Sequence, residues 1–377
     1  MKIILRVGTV ALRILYCFYK LFPTKNRIMF VSRQDDVPSP DCYLLSKAIR
    51  EEDQKIEIIQ EFRRIPDSFI GKIKYIGYML GRQMYLFATS KVVILDGYCI
   101  LASVLNHKKE LKIVQMWHAM GALKKFGFAA IGTEEGKDPE VSKILCMHRN
   151  YDYVICSCKE CAGHYEEAFG VPQNKIITMT LPRVDLLTDL RLKELVQARV
   201  YHVFPDLKKK KNILYVPTFR MHEEMGEKIK ELIESVDFTR YNLIVKLHPL
   251  TKEKVDMNKC LECEGFTALE LLNVADYVIS DYSAFIFEVA AAEKPLFLYT
   301  YDLETYMEQR GFFIDYNEEM PVPRYRDAET MIKALECNDC DMERIRNFAN
   351  KYVENRYGCS QKLAEFICAL YNENIKE

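Results

Sequence analysis

Residues 277–299 read YVISDYSAFIFEVAAAEKPLFLY. Tyr277–Ser280 is a short run rich in apolar and aromatic residues, the pattern of a strand buried on both faces. A polar triplet, Asp281-Tyr282-Ser283, ends it. An apolar helical stretch, Phe285–Ala292, follows and stops before Pro295. Leu296–Tyr299 then repeats the strand pattern. Strand, helix and strand in this order form a βαβ unit, in which the two strands are joined by a crossover and run parallel.

The same alternation extends outward in both directions. Towards the N-terminus it predicts strands at Asn242–Leu247 and Asn212–Val216. Further back it predicts Lys175–Met179, Tyr153–Cys156, Lys112–Met116, Val92–Leu95, Lys55–Glu61 and Arg27–Ser32, with helices such as Asp41–Glu51 and Lys159–Phe169 between them. Towards the C-terminus it predicts helices at Asp341–Asn355 and Ser360–Asn372, with Gly358 as the stop between them. A chain of 377 residues is too long for one hydrophobic core. The expectation is an α/β protein with two doubly wound, Rossmann-like parallel-sheet domains facing a cleft. Their junction is expected in the polar stretch Leu190–Asp206. The predicted parts are an N-terminal helix over 1–24, a first domain over 25–195 and a second over 196–377, with the last helix free to cross back. No Walker P-loop is present, and no G-x-G-x-x-G turn follows the first strand, which argues against a dinucleotide dehydrogenase.

The charge balance is 53 basic to 54 acidic residues, a net charge of -1. Such a chain has no global attraction to nucleic acid, and anionic partners must be met by local patches. The basic run Lys208–Lys211 reads as a solvated loop. The 13 cysteines are odd in number and irregularly spaced. No apolar signal core with a small-residue cleavage site precedes them, so they read as reduced cytosolic thiols. The pairs Cys260/Cys263 and Cys337/Cys340 have zinc-like spacing but differ in context, and Asp339-Cys340-Asp341 reads as surface.

Residues 1–22, MKIILRVGTVALRILYCFYKLF, place Arg6, Arg13 and Lys20 seven apart. Seven steps of a helix return to nearly the same face. The expectation is a helix lying in the plane of an anionic membrane, with this basic stripe at the phosphates and Leu5, Val10, Leu12, Ile14 and Leu15 packed elsewhere. A helix docked on its own protein is the alternative. The stretch Phe69–Lys91 is expected to be a half-buried helix of the first domain.

Ligands of open α/β sheets sit at the carboxyl ends of the strands. Five strand ends carry chemistry-bearing residues: Trp117-His118 with Gly121 and Lys124; Pro182-Arg183-Val184-Asp185; Pro217-Thr218-Phe219-Arg220; His248-Pro249; and Asp281-Tyr282-Ser283, which leads into the helix carrying Glu288. For a substrate with a diphosphate, Ser283 and Ala284 would open a helix whose free N–H groups bind phosphate. The hydroxyls of Ser283 and Thr218 would donate to it. Arg183, Arg220 and Arg310 would neutralise its charge. Of His118 and His248, one can serve as general base and the other as donor. Plainer readings stand beside these: an N-cap at Asp281-Tyr282-Ser283, structural histidines, and an Arg183–Asp185 pair across a turn. His107, His148, His164, His202 and His222 are assigned no role.

These residues resemble a known family. Gln115–Gly127, QMWHAMGALKKFG, is similar to the Q-x-W-H-[GA]-x-G-x-[LIF]-K-x-x-G segment of the CDP-glycerol glycerophosphotransferases. Pro182–Asp185 resembles their P-R-x-D, Leu214–Arg220 their L-Y-x-P-T-[WF]-R, Lys246–Pro249 their x-L-H-P and Ser280–Ala284 their D-Y-S-S element. Pro295, Tyr299, Asp302, Tyr306 and Arg310-Gly311-Phe312 follow their late aromatic run. Ala119 stands where many members have Gly, and Ala284 replaces the second Ser.

The resemblance implies a GT-B fold and no bound metal or cofactor. It implies a CDP-glycerol or CDP-ribitol donor, a lipid-linked glycan or polyol-phosphate acceptor, and peripheral attachment to the cytoplasmic face of a bacterial membrane. It assigns His118 as base, and His248, Thr218 and Ser283 to the diphosphate. Lys124 and Arg310 become further phosphate contacts, and Asp281 and Glu288 are assigned to the nucleoside or to ordering the loop. A sugar transferase of the same fold and a non-catalytic binder of anionic polymer are the alternatives. A homo-oligomer is compatible with all three.

Overall fold

Short apolar strands become parallel sheets here because helices cover both of their faces. The computed structural model describes residues 2–133, 136–220, 225–248, 251, 257 and 259–373. Pro249 and His222 lie outside the described residues. Six parallel strands form one sheet: β1 (Arg27–Ser32), β2 (Glu57–Phe62), β3 (Val92–Leu95), β4 (Lys112–Gln115), β5 (Tyr153–Cys156) and β6 (Ile176–Thr178). Their order is β2-β1-β3-β4-β5-β6. A second parallel sheet contains β7 (Lys211–Tyr215), β8 (Tyr241–Val245), β9 (Tyr277–Ser280), β10 (Leu296–Tyr299) and β11 (Arg324–Tyr325), in the order β11-β10-β9-β7-β8. Every residue of the inner strands β3 and β9 is buried, whereas the edge strand β2 is mostly open. Sequence order reverses between β1 and β3 in one sheet and between β7 and β9 in the other, and such switch points leave a crevice at the strand ends.

The chain forms two compact units. The first comprises Met1–His118, Lys125–Arg183 and Gly358–Glu377; the second comprises Ala119–Lys124 and Val184–Tyr357. The helix Cys359–Glu373 packs in the first unit against the helix Pro40–Glu52. That second helix starts where its residues dictate. The Ser39 hydroxyl accepts from the Cys42 N–H, Pro40 occupies the first turn, and Asp41 sits in the same turn near the positive end of the dipole. In the second unit, Ile213, Leu243 and Ile279 from three strands meet Ile229, Leu232, Met331 and Leu335 from the flanking helices in one core.

The N-terminal helix, Lys2–Tyr19, presents a different face from the one its charges suggest. Arg13 turns inward and donates from Nε to the Val104 carbonyl at 2.9 Å. That carbonyl ends the helix Ile100–Val104, where unsatisfied C=O groups attract a cation. Tyr16 is buried, with its hydroxyl 3.0 Å from His107 Nδ1. Arg6 stays exposed and Lys20 is half-buried. Val10 and Ile14, expected to lie packed away from the basic stripe, are exposed with Ile3, Ile4, Val7 and Phe18. The outward stripe is therefore apolar. The stretch from Phe69 is helical to Thr89, and its first helix, Phe69–Tyr78, exposes Phe69, Ile70, Ile73 and Ile76. No helix among the described residues is long and apolar enough to cross a membrane.

Candidate functional site

In the first unit, polar groups at three strand ends converge on His118. The Gln115 side chain, fully buried at the end of β4, donates to the Gly97 carbonyl at 3.0 Å and accepts from the Trp117 N–H at 2.9 Å. Trp117 has φ +62, a left-handed conformation that costs a bulky residue roughly 1–2 kcal/mol. Its ring stacks on Phe126 at 5.0 Å and lies 4.2 Å from the His118 imidazole. His118 Nδ1 is 2.9 Å from the carbonyl oxygen of Asp96, just after β3. A carbonyl only accepts, so Nδ1 carries the proton and Nε2 keeps its lone pair.

By surface area His118 is exposed, yet desolvation by the protein around it holds its pKa below the ordinary imidazole value. The Arg183 charge adds to that effect, while the Asp96 carbonyl and the Asp41 carboxylate oppose it. The open surface leaves the ring accessible to a substrate.

Arg183 pairs with Asp41. Its backbone N–H donates to Asp41 Oδ1 at 2.8 Å and its Nε to Oδ2 at 2.7 Å. Its Nη2 also donates to the His118 carbonyl at 3.0 Å. Asp96 is 3% exposed, and its Oδ1 has no hydrogen-bond partner. Burial pushes its carboxyl up to about 6.

In the second unit, Asp281 lies fully buried at the end of β9, beside the switch point. It accepts from the Thr218 N–H and from Thr218 Oγ1, the latter at 2.6 Å, and from Arg220 Nη1 at 2.8 Å. Arg220 also grips Asp302 through Nε at 2.6 Å and Nη2 at 2.9 Å. The Tyr282 hydroxyl donates to Asp302 at 2.8 Å. Thr218, Arg220 and Asp281 bond to one another, because a guanidinium only 3% exposed must find carboxylates where water cannot reach it; for Asp281 this is the loop-ordering role, one of the two expected of it.

Residues 119–124 belong to this second unit, where Lys124 bridges antiparallel to Phe312 and the Phe313 N–H donates to the Leu123 carbonyl. Gly121 has φ +60, and a Cβ there would lie 2.4 Å from the Phe287 ring. Its place in the motif is thus explained by packing rather than by a ligand. Lys124 Nζ lies 3.0 Å from the Tyr306 hydroxyl. Burial, with Arg310 adding, pushes its pKa down to about 8. Arg310 is half-buried, and desolvation lowers its pKa. His248 is exposed at the end of β8, 5.6 Å from the Phe219 ring, and desolvation and then Lys124 lower its pKa.

The helix Phe285–Ala291 has seven residues, and the Ser283 hydroxyl accepts from its first amide, Phe285, at 3.2 Å. Ala284 is the N-cap residue. Glu288 is buried at 4% and Asp185 at 6%, both away from open surface. Among the described residues, no cluster of His, Cys, Asp or Glu could hold a metal ion.

Asp96, Asp41, Trp117 and Asp302 were not assigned roles on sequence. The strand-end rule would have found Asp96 directly after Val92–Leu95, and Asp302 after Leu296–Tyr299. Nothing local points from Asp41 to Arg183.

The profile of the family described as CDP-Glycerol:Poly(glycerophosphate) glycerophosphotransferase matches residues 14–369. The chain is 29% identical over 360 residues to the teichoic acid ribitol-phosphate primase of Bacillus spizizenii, covering 92% of each. It is 30% identical over 297 residues to the teichoic acid glycerol-phosphate primase of Bacillus subtilis, covering 76% of this chain and 75% of that one. The solved structure of the wall teichoic acid polymerase TagF superposes with a TM-score of 0.78 at 20% identity, over 100% of this chain and 98% of that chain. At that identity the likeness concerns the fold.

Proposed function

Since this chain belongs to the CDP-glycerol:poly(glycerophosphate) glycerophosphotransferase family, we propose that it transfers a polyol phosphate from a CDP-activated donor to a hydroxyl of a lipid-linked acceptor. The setting is the synthesis of a teichoic-acid-type polymer. The observation that carries the chemistry is the tautomer of His118. With Nδ1–H bound to the Asp96 carbonyl, Nε2 is the basic atom. It takes the proton of the acceptor hydroxyl as that oxygen attacks the β-phosphorus of the donor. A new P–O bond forms, the bond to CMP breaks, and CMP leaves with the electron pair.

The resemblance of the second unit's motifs extends the proposal to the charge of the diphosphate. Lys124 and Arg310, both half-buried, would meet its charge, with His248 and Ser283 as further donors. Asp281, Arg220, Thr218 and Asp302 form the frame that holds the loops after β7, β9 and β10. Ribitol-phosphate and glycerol-phosphate primases match this chain at nearly equal identity, so both polyols belong in the test.

The apolar stripe of the helix Lys2–Tyr19 gives the protein a means of lying on the membrane that holds its acceptor. Each of Val7, Val10, Ile14 and Phe18 contributes roughly 1.5–3 kcal/mol if fully withdrawn from water. In a vesicle co-sedimentation assay, Ile14→Ser with Phe18→Ser should lower partitioning at least about tenfold. Unchanged partitioning would remove this helix from the membrane.

The reaction itself is tested by CMP release from CDP-glycerol, CDP-ribitol and, as a third arm, UDP-sugars with UMP or UDP release, each with a synthetic lipid-linked acceptor. Acceptor-dependent CMP release supports the proposal and identifies the polyol. Turnover of UDP-sugars alone would assign a sugar transfer instead.

A further inference from the structure

A base needs only a lone pair and a proton acceptor's pKa, but His118 is held by more than that. Its loop is strained at Trp117, and such a conformation persists only where the surroundings hold it. Three groups do so: Gln115 at the Trp117 N–H, the Asp96 carbonyl at the His118 ring, and Arg183 at the His118 carbonyl. The third comes from far along the chain. Arg183 is itself aligned by Asp41, whose side chain is 2% exposed and which accepts both the backbone N–H and the guanidinium of Arg183. A buried ion pair is a poor source of stability, because desolvation offsets most of its attraction. Its direction here is more informative. The guanidinium fork is turned towards Asp41 and the carbonyl of the base.

We propose that Asp41 and Arg183 are positioning residues, Asp41 orienting Arg183 and Arg183 fixing the His118 carbonyl, so that Nε2 keeps the direction in which it takes the acceptor proton. The inference rests on the reading of His118 as base. It reassigns Arg183 from substrate to base, and it brings in Asp41, which the reaction itself does not touch.

The test is CMP release by the full-length protein, with CDP-glycerol and CDP-ribitol as donors and a synthetic lipid-linked acceptor. Asp41→Asn and Arg183→Gln should each lower kcat between about 10- and 100-fold, the scale of a displacement near 1 Å, with donor KM within about twofold. A structural staple would not move the second readout, the acid limb of kcat/KM. The charged groups around the imidazole are Asp41, Arg183 and Asp96. Asp41→Asn leaves the Arg183 cation uncompensated, so the limb should move to lower pH. Arg183→Gln leaves the Asp41 anion, so the limb should move to higher pH. The double variant should return it towards the wild-type position. Asp96→Asn, which keeps the carbonyl, separates the titration of that carboxyl.

If Asp41→Asn does not fold, Asp41→Glu serves, with reduced turnover and an unmoved limb expected. Wild-type kcat in both single variants, or limbs that shift in the same direction, would overturn the relay. His118→Ala run alongside separates the two readings. If it is silent while the Asp41 and Arg183 variants are normal, only the relay fails. If it turns over normally, the base assignment fails and the relay with it.

Discussion

Asp96 and Asp281 occupy matching places, each just past an inner strand beside the switch point of its sheet, and both are almost completely buried. Asp281 is surrounded by donors: the Thr218 amide and hydroxyl and the Arg220 guanidinium. Asp96 has an oxygen without a partner, a carboxyl pushed up to about 6, and a backbone carbonyl that does the visible work by holding His118. In the second unit the charges neutralise one another and order the loops. In the first they are left incompletely matched around one exposed imidazole. Unmatched buried polarity of this kind is tolerated where it serves chemistry.

Four changes test that contrast. Arg220→Met should have the largest effect, because it leaves Asp281 and Asp302 buried without their cation. A loss of about 3–5 kcal/mol in urea unfolding is expected. A variant of normal stability with weakened donor binding would instead make Arg220 a phosphate contact. His118→Ala should retain donor binding by calorimetry and lose at least about 100-fold in CMP release. Near-normal turnover there would leave the first unit with no catalytic group of the kind described.

Asp96→Asn should act on stability in the opposite sense to Arg220→Met. The folded pKa of Asp96 lies above its unfolded value of 3.8. The folded chain therefore holds more protons between pH 3.8 and 6, and the contribution of this group to stability falls as pH rises through that window. Above it the penalty is complete. Asparagine should raise the unfolding free energy at pH 7.5 by about 1–3 kcal/mol and change little near pH 4. Equal effects at both values would mean that the carboxylate is matched after all.

The smallest effect concerns Lys124. Its pKa in the free protein is about 8, so above that pH donor binding must also recharge the ammonium. Affinity for CDP-glycerol should fall by up to about tenfold between pH 7 and 9, and Lys124→Arg should flatten the profile. The same depression makes stability rise with pH from about 8 to 10.5, since there the unfolded chain holds more protons than the folded one. A flat binding profile in the unaltered protein would remove Lys124 from the diphosphate.

Much of the fold was legible because it is periodic. Val92–Leu95, Tyr153–Cys156, Tyr277–Ser280 and Leu296–Tyr299 are strands with the bounds their apolar runs predict. Arg324–Tyr325 was not legible, since a two-residue edge strand has no period to read. The residues proposed for the site stand at strand ends and could be picked out there, but their partners could not. Arg183 is expected on sequence to meet phosphate, and the structure shows its ion pair with Asp41, separated from it by 142 positions. The N-terminal helix shows the same limit. A seven-residue charge repeat identifies a face, but not which way that face turns when Arg13 can reach the carbonyl end of another helix.

By itself, the sequence determined the parallel α/β class, the family motifs and the strand ends that carry the candidate residues, because these follow from local spacing and from which residues can be buried on both faces of a sheet. Only the tertiary structure decided which charge meets which. Burial removes the water that would otherwise serve every polar group equally, so Arg220 is consumed by Asp281 and Asp302, Arg183 is turned to Asp41 and the His118 carbonyl, and His118 is left with Nε2 as its basic atom.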